Sequence, residues 1–237
     1  MGKKVKDFIS ENNIRLVEKI RIAANVYKEK FIGRHFLYIY ENKHIEVLFK
    51  GKNFKHLTGV ESNLSAGDFY KNAKLKRLKG EQIWFSKKHP YDLSKKKLAK
   101  LHMLDKLIEE DVFIIEDVKT ETKTYKILIN NLEFSLGLIE NIDEETNQLI
   151  DNNLIPTTFR TKGEKDFDNN KNLFQVDFIL SKDSCFKKYD NIHYGESFNL
   201  KSLPSNILTL IDEGLFDNST NKEIAQTLDG EDNNDNK

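Results

Sequence analysis

Residues 35–60, HFLYIYENKHIEVLFKGKNFKHLTGV, contain the pattern that decides the fold. His35–Glu41 and His44–Lys50 are rich in aromatic and β-branched residues, and Asn42-Lys43 separates the two runs. This order predicts a β-hairpin, although its turn lacks the glycine that such turns favour. The next segment, Gly51–Leu64, is predicted to be a loop.

The residues on either side of this stretch have helical spacing. Apolar residues recur every three or four positions through residues 4–31, which predicts one amphipathic helix that ends near Gly33. After the loop, Ser65 is predicted to cap a helix over residues 66–78. Ser94 is predicted to cap a second helix over residues 95–110, because leucines follow it at helical spacing.

The second half of the chain is mostly β-rich. Runs of β-branched and aromatic residues predict further strands at Val112–Val118, Thr124–Asn130, Leu132–Ile139, Ile155–Thr161 and Leu173–Leu180. A polar loop is predicted over residues 163–172. Pro204 precedes a predicted helix over residues 205–216, and another is predicted over residues 218–228.

These patterns divide the chain into four parts. We expect an N-terminal helix over residues 1–34, a main domain over residues 35–200 and a C-terminal helical extension over residues 201–228. Residues 229–237 are acidic and rich in asparagine, so we expect a disordered tail.

Composition favours a folded protein without a membrane span. The 237 residues are 38% hydrophobic and include 16 Phe and 8 Tyr, which is enough to build a core. No apolar run approaches the roughly 20 residues that a membrane span needs. Cys185 is the single cysteine, so neither an internal disulfide nor a cysteine-based zinc site is expected. We expect a soluble protein of the cytoplasm.

The net charge of zero conceals an asymmetry. Residues 1–106 hold 25 basic and 11 acidic side chains, whereas residues 107–237 hold 13 and 27. The densest basic stretch is residues 71–106, with 12 basic and three acidic side chains. A basic half of this kind attracts polyanions. The alternative is a set of solvated helix faces with no ligand.

The common catalytic sequence motifs are missing. The chain contains neither a phosphate-binding Gly-x-x-x-x-Gly-Lys-Ser/Thr loop nor a dinucleotide-binding Gly-x-Gly-x-x-Gly. The six histidines, at positions 35, 44, 56, 89, 102 and 193, do not have metal-ligand spacing. A lone cysteine is too common to indicate a thiol nucleophile. We therefore predict that the protein uses neither a metal nor a cofactor.

His56 is the first candidate for catalysis. It lies in a loop that contains threonine and glycine, and histidine exchanges protons near neutral pH. Thr58 and neighbouring amides are candidates to hold a phosphate oxygen, and Gly59 lets backbone approach a ligand. The alternative is a loop histidine that completes a turn.

Thr158 and Arg160 are the second candidate set. In a strand their side chains share one face, and a hydroxyl with a guanidinium suits an anionic phosphorane. The alternative is an ordinary half-exposed strand. Trp84 and Phe85, among lysines, are candidates to stack on bases, although a tryptophan is more often an anchor of the core.

Several of these stretches together resemble a known family. The hairpin strands FLYIY and IEVLF are followed by NFKHLTGV (residues 53–60), FYKNA (residues 69–73), three leucines spaced by three after Lys97, and IPTTFR (residues 155–160). Over about residues 30–180 the chain resembles the phage-associated nucleases of the Barnase–EndoU–Colicin–RelE group, specifically the fourth subgroup.

The resemblance implies an α+β fold in which N-terminal helices pack on a twisted antiparallel sheet, and it implies ribonuclease activity. Carried over position by position, it assigns catalysis to His56, Thr58, Thr158 and Arg160. The second histidine that some branches use has no clear match here. The general acid is therefore left open, and His193, Lys55 and Tyr194 are its weaker candidates.

The first hypothesis is a metal-independent endoribonuclease of phage or mobile-element origin, acting as a toxin in a bacterial cell. His56 would deprotonate a 2′-hydroxyl, Arg160 and Lys55 would stabilise charge, and Thr58 and Thr158 would position the phosphate. Surface contacts to RNA are assigned to Lys55, Lys95, Lys96 and Lys97.

Two alternatives remain. The chain could be a non-catalytic module that binds RNA or a host or phage protein. A metal-dependent DNase is the third hypothesis, but it needs carboxylates clustered near a lysine, and the sequence does not show that spacing.

Overall fold

A computed structural model describes residues 2–119, 124–143, 145–162 and 172–216, with side chains described from residue 11 onward. The predicted helix over residues 218–228, the predicted tail over residues 229–237 and nearly all of the predicted loop over residues 163–172 lie outside the described residues.

The described chain begins with a long helix and continues as a mixture of short helices and strands. Four short 3-10 helices lie at Gly51–Asn53, Gly80–Gln82, Leu101–Met103 and Ser197–Ser202. In chain order the other elements are α1 (Gly2–Lys30), β1 (Arg34–Tyr40), β2 (Lys43–Leu48), α2 (Phe54–Thr58), β3 (Glu61–Ser62), α3 (Ala66–Lys74), β4 (Ile83–Trp84), α4 (Tyr91–Lys100), α5 (Lys106–Glu109), β5 (Phe113–Lys119), β6 (Thr124–Asn130), β7 (Phe134–Ile142), β8 (Leu149–Thr161), β9 (Leu173–Gln175), β10 (Phe178–Asp183), β11 (Asn191–Tyr194) and α6 (Ser205–Leu208).

The predicted hairpin is confirmed. Strands β1 and β2 pair antiparallel from Tyr40–Lys43 to His35–Leu48. The turn forms without glycine because Glu41 and Asn42 adopt positive φ angles of 45° and 59°, and asparagine tolerates this region better than most residues. The consecutive residues Phe36–Tyr40 are all buried, and because side chains alternate along a strand, both faces of β1 are covered.

One sheet of nine strands organises the described residues, in the order β11-β10-β1-β2-β8-β7-β6-β5-β9. All neighbours pair antiparallel except β2 and β8, which meet in parallel at Val47 and Leu154. The sheet thus consists of two antiparallel halves joined at one short parallel contact. Strand β8 borders this junction, which matters for the site because β8 carries Thr158 and Arg160.

The prediction of one strand over Leu173–Leu180 is wrong. The segment forms β9, which pairs with β5, and β10, which pairs with β1. Only Val176 and Asp177 separate the two strands, and their amides donate to the carbonyls of Val112 and Ile39. Two residues span less than about 10 Å, so the sheet must curl until its ends lie close together.

Helices α1 to α4 pack on one side of this sheet and enclose the main core. Tyr27 and Phe31 of α1 are fully buried and contact the rings of Phe49 and Phe54. Strand residues from β1 to β8, such as Phe159, belong to the same buried cluster. The α+β fold with N-terminal helices on a largely antiparallel sheet is therefore confirmed.

Two helical predictions need correction. The predicted loop Gly51–Leu64 contains a 3-10 turn, α2 and β3, and α2 is too short to produce a helical period in the sequence. Ser94 is not an N-cap: α4 starts after Pro90, and Ser94 lies buried inside it. By contrast, Ser65 does cap α3, where its hydroxyl accepts from the Asp68 amide.

The C-terminal part of the described chain covers the opposite face of β1 and β10. Leu37 and Leu180 pack there with Ile207 and Ile211. The helix predicted over residues 205–216 is interrupted: α6 covers Ser205–Leu208, and residues 214–216 are again helical after a break at residues 209–213. Among the helices of the described residues, none is long and apolar enough to cross a membrane.

Candidate active site

His56 lies on α2, a helix of five residues that packs against β8, α3 and α4. Its neighbours Phe54 and Leu57 are fully buried, whereas the His56 side chain is exposed. The motif therefore combines two apolar anchors with one titratable side chain on the solvent side. This arrangement presents an imidazole to solvent on a backbone that the core holds in place.

Thr58 has a different environment from the one predicted. The residue is completely buried, and its hydroxyl donates to the Lys55 carbonyl at 2.7 Å. The same oxygen lies 3.4 Å from the amide nitrogen of Val60. The hydroxyl closes the turn after α2, so in this conformation it supports the His56 helix and does not face a ligand.

Gly59 ends α2 in the left-handed conformation, with φ of 69°. A Cβ at this position would lie 3.1 Å from Cδ of Lys97 and 3.6 Å from Oγ of Ser94. The Ser94 hydroxyl donates to the Gly59 carbonyl at 2.5 Å. Backbone conformation and the close approach of α4 both explain why glycine occupies this position.

Replacing Gly59 by alanine should lower the free energy of unfolding by about 1–2 kcal/mol, because a Cβ is strained in the left-handed region and would press on Lys97. The matched control is Gly67→Ala in α3, where a Cβ would meet no atom within 4 Å. That control should be neutral or slightly stabilising. Urea unfolding of the three proteins measures both effects, and equal stability of Gly59→Ala and wild type would contradict this account.

The four lysines assigned to RNA contacts separate into two groups. Lys95 and Lys96 are exposed on α4 and can reach a ligand. Lys97 is only 7% exposed and packs along Gly59, so its stem is part of the packing between α2 and α4. The amino group of Lys55 donates to the carbonyls of Ser62 and Leu64, at 3.0 and 2.9 Å, and fixes the chain after α2.

Thr158 and Arg160 form a cluster with Tyr125 of β6. The Arg160 guanidinium lies 5.2 Å from the centroid of the Tyr125 ring, and its Nη2 donates to the Tyr125 hydroxyl at 3.3 Å. Thr158 pairs with Gly137, where an added Cβ would lie 2.6 Å from the threonine methyl and 2.8 Å from the tyrosine ring. Gly137 therefore provides the space that lets these side chains meet.

The structure does not bring all four proposed catalytic residues together. Phe159 lies in the same core as Phe54 and Leu57 of the His56 helix. Side chains alternate along a strand, so Thr158 and Arg160 point to the reverse face of β8. His56 with its helix and the Arg160 cluster are thus two separate sets on opposite sides of one strand.

Of the three candidates for the general acid, only Lys55 lies next to His56, and its amino group is hydrogen-bonded to backbone carbonyls. His193 and Tyr194 lie on β11, away from both sets. His193 lies on the edge strand β11, with Nε2 2.8 Å from Oγ of Ser181. Burial lowers the pKa of His193, and Arg34 lowers it further, so the ring favours its neutral form. The hydrogen bond to Asp111 raises the pKa of Tyr194.

A cavity of about 490 Å³ opens between β2, β5 and β8, and its lining is acidic. The lining includes Glu46, Glu116, Asp117, Glu140 and Asp151. Carboxylates repel a polyanion, so this cavity is unsuited to RNA phosphates. In the described parts of the chain, no three His, Cys, Asp or Glu side chains are grouped as they would be to hold a metal ion.

The sequence patterns did not predict two features of the site: Lys97 is buried, and Tyr125 contacts Arg160. Leu98 and Leu101 face the core, and helical spacing places Ser94 and Lys97 on the same side, so the pattern contained the signal for Lys97. Tyr125 is 35 residues from Arg160 in the chain. Only the pairing of β6, β7 and β8 brings these two side chains together.

Comparison with known proteins supports the assignment that the sequence suggested. The profile of one family, described as phage-Barnase-EndoU-ColicinE5/D-RelE like nuclease 4, matches residues 19–197. This range contains the hairpin, the His56 helix, the basic α3–α4 region and the Arg160 strand. No curated protein and no solved structure matches the chain. Because the match spans well over half of its 237 residues, the chain belongs to this family of phage-associated nucleases.

Proposed function

We propose that this nuclease is an endoribonuclease that cleaves RNA by attack of a ribose 2′-oxygen on the adjacent phosphorus. The observation that carries the proposal is the exposed His56 imidazole on a helix whose neighbouring side chains are buried. A general base must be both reachable and fixed in position. The exposed imidazole supports the first requirement, and the buried Phe54 and Leu57, which hold its backbone, support the second.

In the proposed reaction His56 accepts the proton of the 2′-hydroxyl. The 2′-oxygen forms a bond to phosphorus while the bond from phosphorus to the 5′-oxygen breaks. The departing 5′-oxygen takes up a proton from water or from a second side chain. The products are a 2′,3′-cyclic phosphate and a free 5′-hydroxyl, and no oxidant, reductant or further reactant is consumed.

Phosphate binding near His56 is assigned to Lys95 and Lys96, whose side chains are exposed on the helix that packs against α2. Lys55 and Thr58 act through their hydrogen bonds to backbone, which hold the turn around His56. Both residues are thus positioning residues in this proposal, and direct contact with the scissile phosphate is not assigned to them.

Thr158 and Arg160 are assigned to a second phosphate of the same RNA. Their cluster with Tyr125 offers a guanidinium and hydroxyls on the reverse face of β8. Because β8 pairs with β2 on one side and β7 on the other, an RNA strand that contacts both sets would have to pass the end of the sheet. If Arg160 instead stabilised the scissile phosphate directly, its loss would reduce the rate of cleavage and not merely affinity.

The proposed reaction does not need a metal, because the nucleophile belongs to the substrate and is held beside the phosphorus. Purified protein should therefore cut RNA equally well with and without EDTA, and the new ends should be 2′,3′-cyclic phosphates. Mass spectrometry of the fragments measures this. Cleavage that EDTA abolishes, with 3′-hydroxyl ends, would instead support the metal-dependent alternative.

We place this activity in conflict between phages or mobile elements and their bacterial hosts. The family description itself contains the word phage. A ribonuclease in that setting would act as a toxin on host RNA in the cytoplasm. Growth arrest of bacteria that express the wild-type chain, but not a catalytically inactive variant, would support this role.

A non-catalytic binding module is the second candidate function. It is favoured by one observation: His56 and Arg160 lie on opposite sides of β8, and His193 and Tyr194, two of the candidate general acids, lie on β11. Such a module would bind RNA or a host or phage protein without cutting it. RNA binding by wild-type protein that leaves the RNA intact would select this function.

A further inference from the structure

We propose that Trp84 stacks on an unpaired base, so that the substrate of this protein is single-stranded RNA. The inference rests on the proposed function, because it names the substrate class of the same nuclease. Trp84 is the single tryptophan of the chain and is 45% exposed. An indole that is nearly half exposed offers a ring face to a partner, and tryptophan is enriched at such contact surfaces.

The backbone beneath Trp84 is fixed. Strand β4 pairs with β3, and Trp84 lies directly opposite Glu61. The Asn13 side chain in α1 donates to the carbonyls of Gly80 and Ile83, at 3.0 and 3.1 Å. These bonds attach the two-stranded ribbon formed by β3 and β4 to α1, the longest helix among the described residues. A stacking residue on such a support loses little freedom on binding.

Phe85, the aromatic residue next to Trp84, packs against the main core. Phe85 packs edge-on against Tyr91, with 5.1 Å between the ring centroids. Within the described part of the chain, the Trp84 ring does not pack on another aromatic ring. The tandem Trp84-Phe85 therefore consists of one ring that anchors the ribbon and one that remains available at the surface.

The charge around Trp84 suits a nucleic acid. Residues 71–90 contain seven lysines and arginines against one acidic residue, Glu81. The exposed members next to the ribbon include Lys79, Lys87 and Lys88. Glu61, across from the indole, contacts Ser86 and lies 3.7 Å from His89. An aromatic ring among cations is the arrangement by which proteins hold single-stranded nucleic acids.

The position of the ribbon links it to the His56 helix. Strand β3 begins two residues after Gly59, and only the buried Val60 lies between them. Because Trp84 pairs with Glu61 of β3, we place the stacked base in the same RNA strand that His56 cleaves. Stacking needs an exposed base face, and a duplex hides its base faces except at the ends. Single-stranded RNA is therefore the substrate class that this surface selects.

Fluorescence tests this inference directly, since Trp84 is the sole source of tryptophan emission. The probe is a short single-stranded oligoribonucleotide with 2′-O-methyl groups throughout, which cannot be cleaved by the proposed reaction. It should quench the emission of wild-type protein. Trp84→Ala should weaken its binding by about 5- to 150-fold, whereas Trp84→Phe should retain most of the affinity.

Two comparisons make the test specific. Phe198→Ala removes another exposed aromatic side chain, 59% exposed and outside the ribbon, and should leave binding unchanged. The duplex form of the same oligonucleotide should bind wild type and Trp84→Ala equally. Equal affinity of wild type and Trp84→Ala for the single strand, or equal losses for single strand and duplex, would overturn the inference.

The binding and cleavage experiments can refute the stacking inference and the ribonuclease proposal independently of each other. Cleavage of RNA together with unchanged binding by Trp84→Ala would refute the stacking inference alone. Quenching and weaker binding by Trp84→Ala, in a protein that does not cut RNA, would refute the ribonuclease alone and retain Trp84 as a binding residue. Thermal unfolding of the variant checks that the ribbon is intact.

Discussion

His56→Ala should reduce RNA cleavage by about 10²- to 10⁴-fold, which is the usual contribution of one positioned proton-transfer group. The fold should survive, because the side chain is exposed and the anchors of its helix, Phe54 and Leu57, are unchanged. Substitutions at exposed positions commonly change stability by no more than about 0.5 kcal/mol. Single-turnover cleavage and urea unfolding of the same preparation measure the two quantities.

The matched control is His102→Ala. His102 is also exposed on the helical side of the protein and lies just after α4, but it has no part in the proposed reaction. Its removal should leave cleavage unchanged. Added imidazole should restore part of the activity of His56→Ala, since a small base can enter the space of the lost ring. A structural defect would not respond to imidazole, and full activity of His56→Ala would exclude it as the base.

Arg160 variants show whether the cluster on the reverse face of β8 belongs to the same reaction. If Arg160 binds a second phosphate, Arg160→Ala should weaken RNA binding while the cleavage rate at saturating RNA changes little. If the guanidinium stabilises the scissile phosphate, the rate itself should fall. Tyr125→Phe keeps the ring beside Arg160 and removes only the hydroxyl that accepts its hydrogen bond, so it provides a milder comparison.

Much of the fold followed from sequence because its signals are local. The period of residues 4–31 and the alternation in residues 35–50 predicted α1 and the first hairpin, and both are present. Strands β5, β6 and β7 also lie within three residues of the predicted ends, whereas β8 begins at Leu149, six residues before the predicted start at Ile155. The sequence patterns that predicted these elements depend only on the residues of one element and its caps.

The errors arise where the decision depends on distant contacts. Leu173–Leu180 has the composition of one strand, yet β9 pairs with Phe113–Ile115 and β10 pairs with β1. That division depends on the curl of the whole sheet. Likewise α2 has only five residues, and isolated helices of that length are unstable in water. Its conformation comes from burial of Phe54 and Leu57.

The candidate site shows the same limit. The motif around His56 was recognisable, but the orientation of each side chain within it was not. Thr58 turned inward to the Lys55 carbonyl, and Lys97 packed along Gly59. Thr158 and Arg160 do share a face, as alternation predicts. That this face lies opposite the His56 helix follows from the packing of Phe159, which sequence patterns alone did not determine.

The second large effect concerns the substrate. Replacing the nucleotide on the 5′ side of the cut by its 2′-deoxy form removes the proposed nucleophile and should abolish cleavage at that bond. Binding should persist, because Lys95, Lys96 and Trp84 contact phosphates and a base in this account. The proposed role of His56 depends on this result, because a substrate that lacks the 2′-hydroxyl has no proton there for His56 to accept.

The central claim, that the 2′-oxygen of RNA is the nucleophile, is tested most directly by one pair of oligonucleotides. They have the same sequence and differ only in a single 2′-hydroxyl at the mapped cleavage position. We expect the ribo form to be cut in EDTA to give a 2′,3′-cyclic phosphate, and the 2′-deoxy form to remain intact at that bond while binding equally well. Cleavage of the 2′-deoxy form at the same bond would contradict the mechanism.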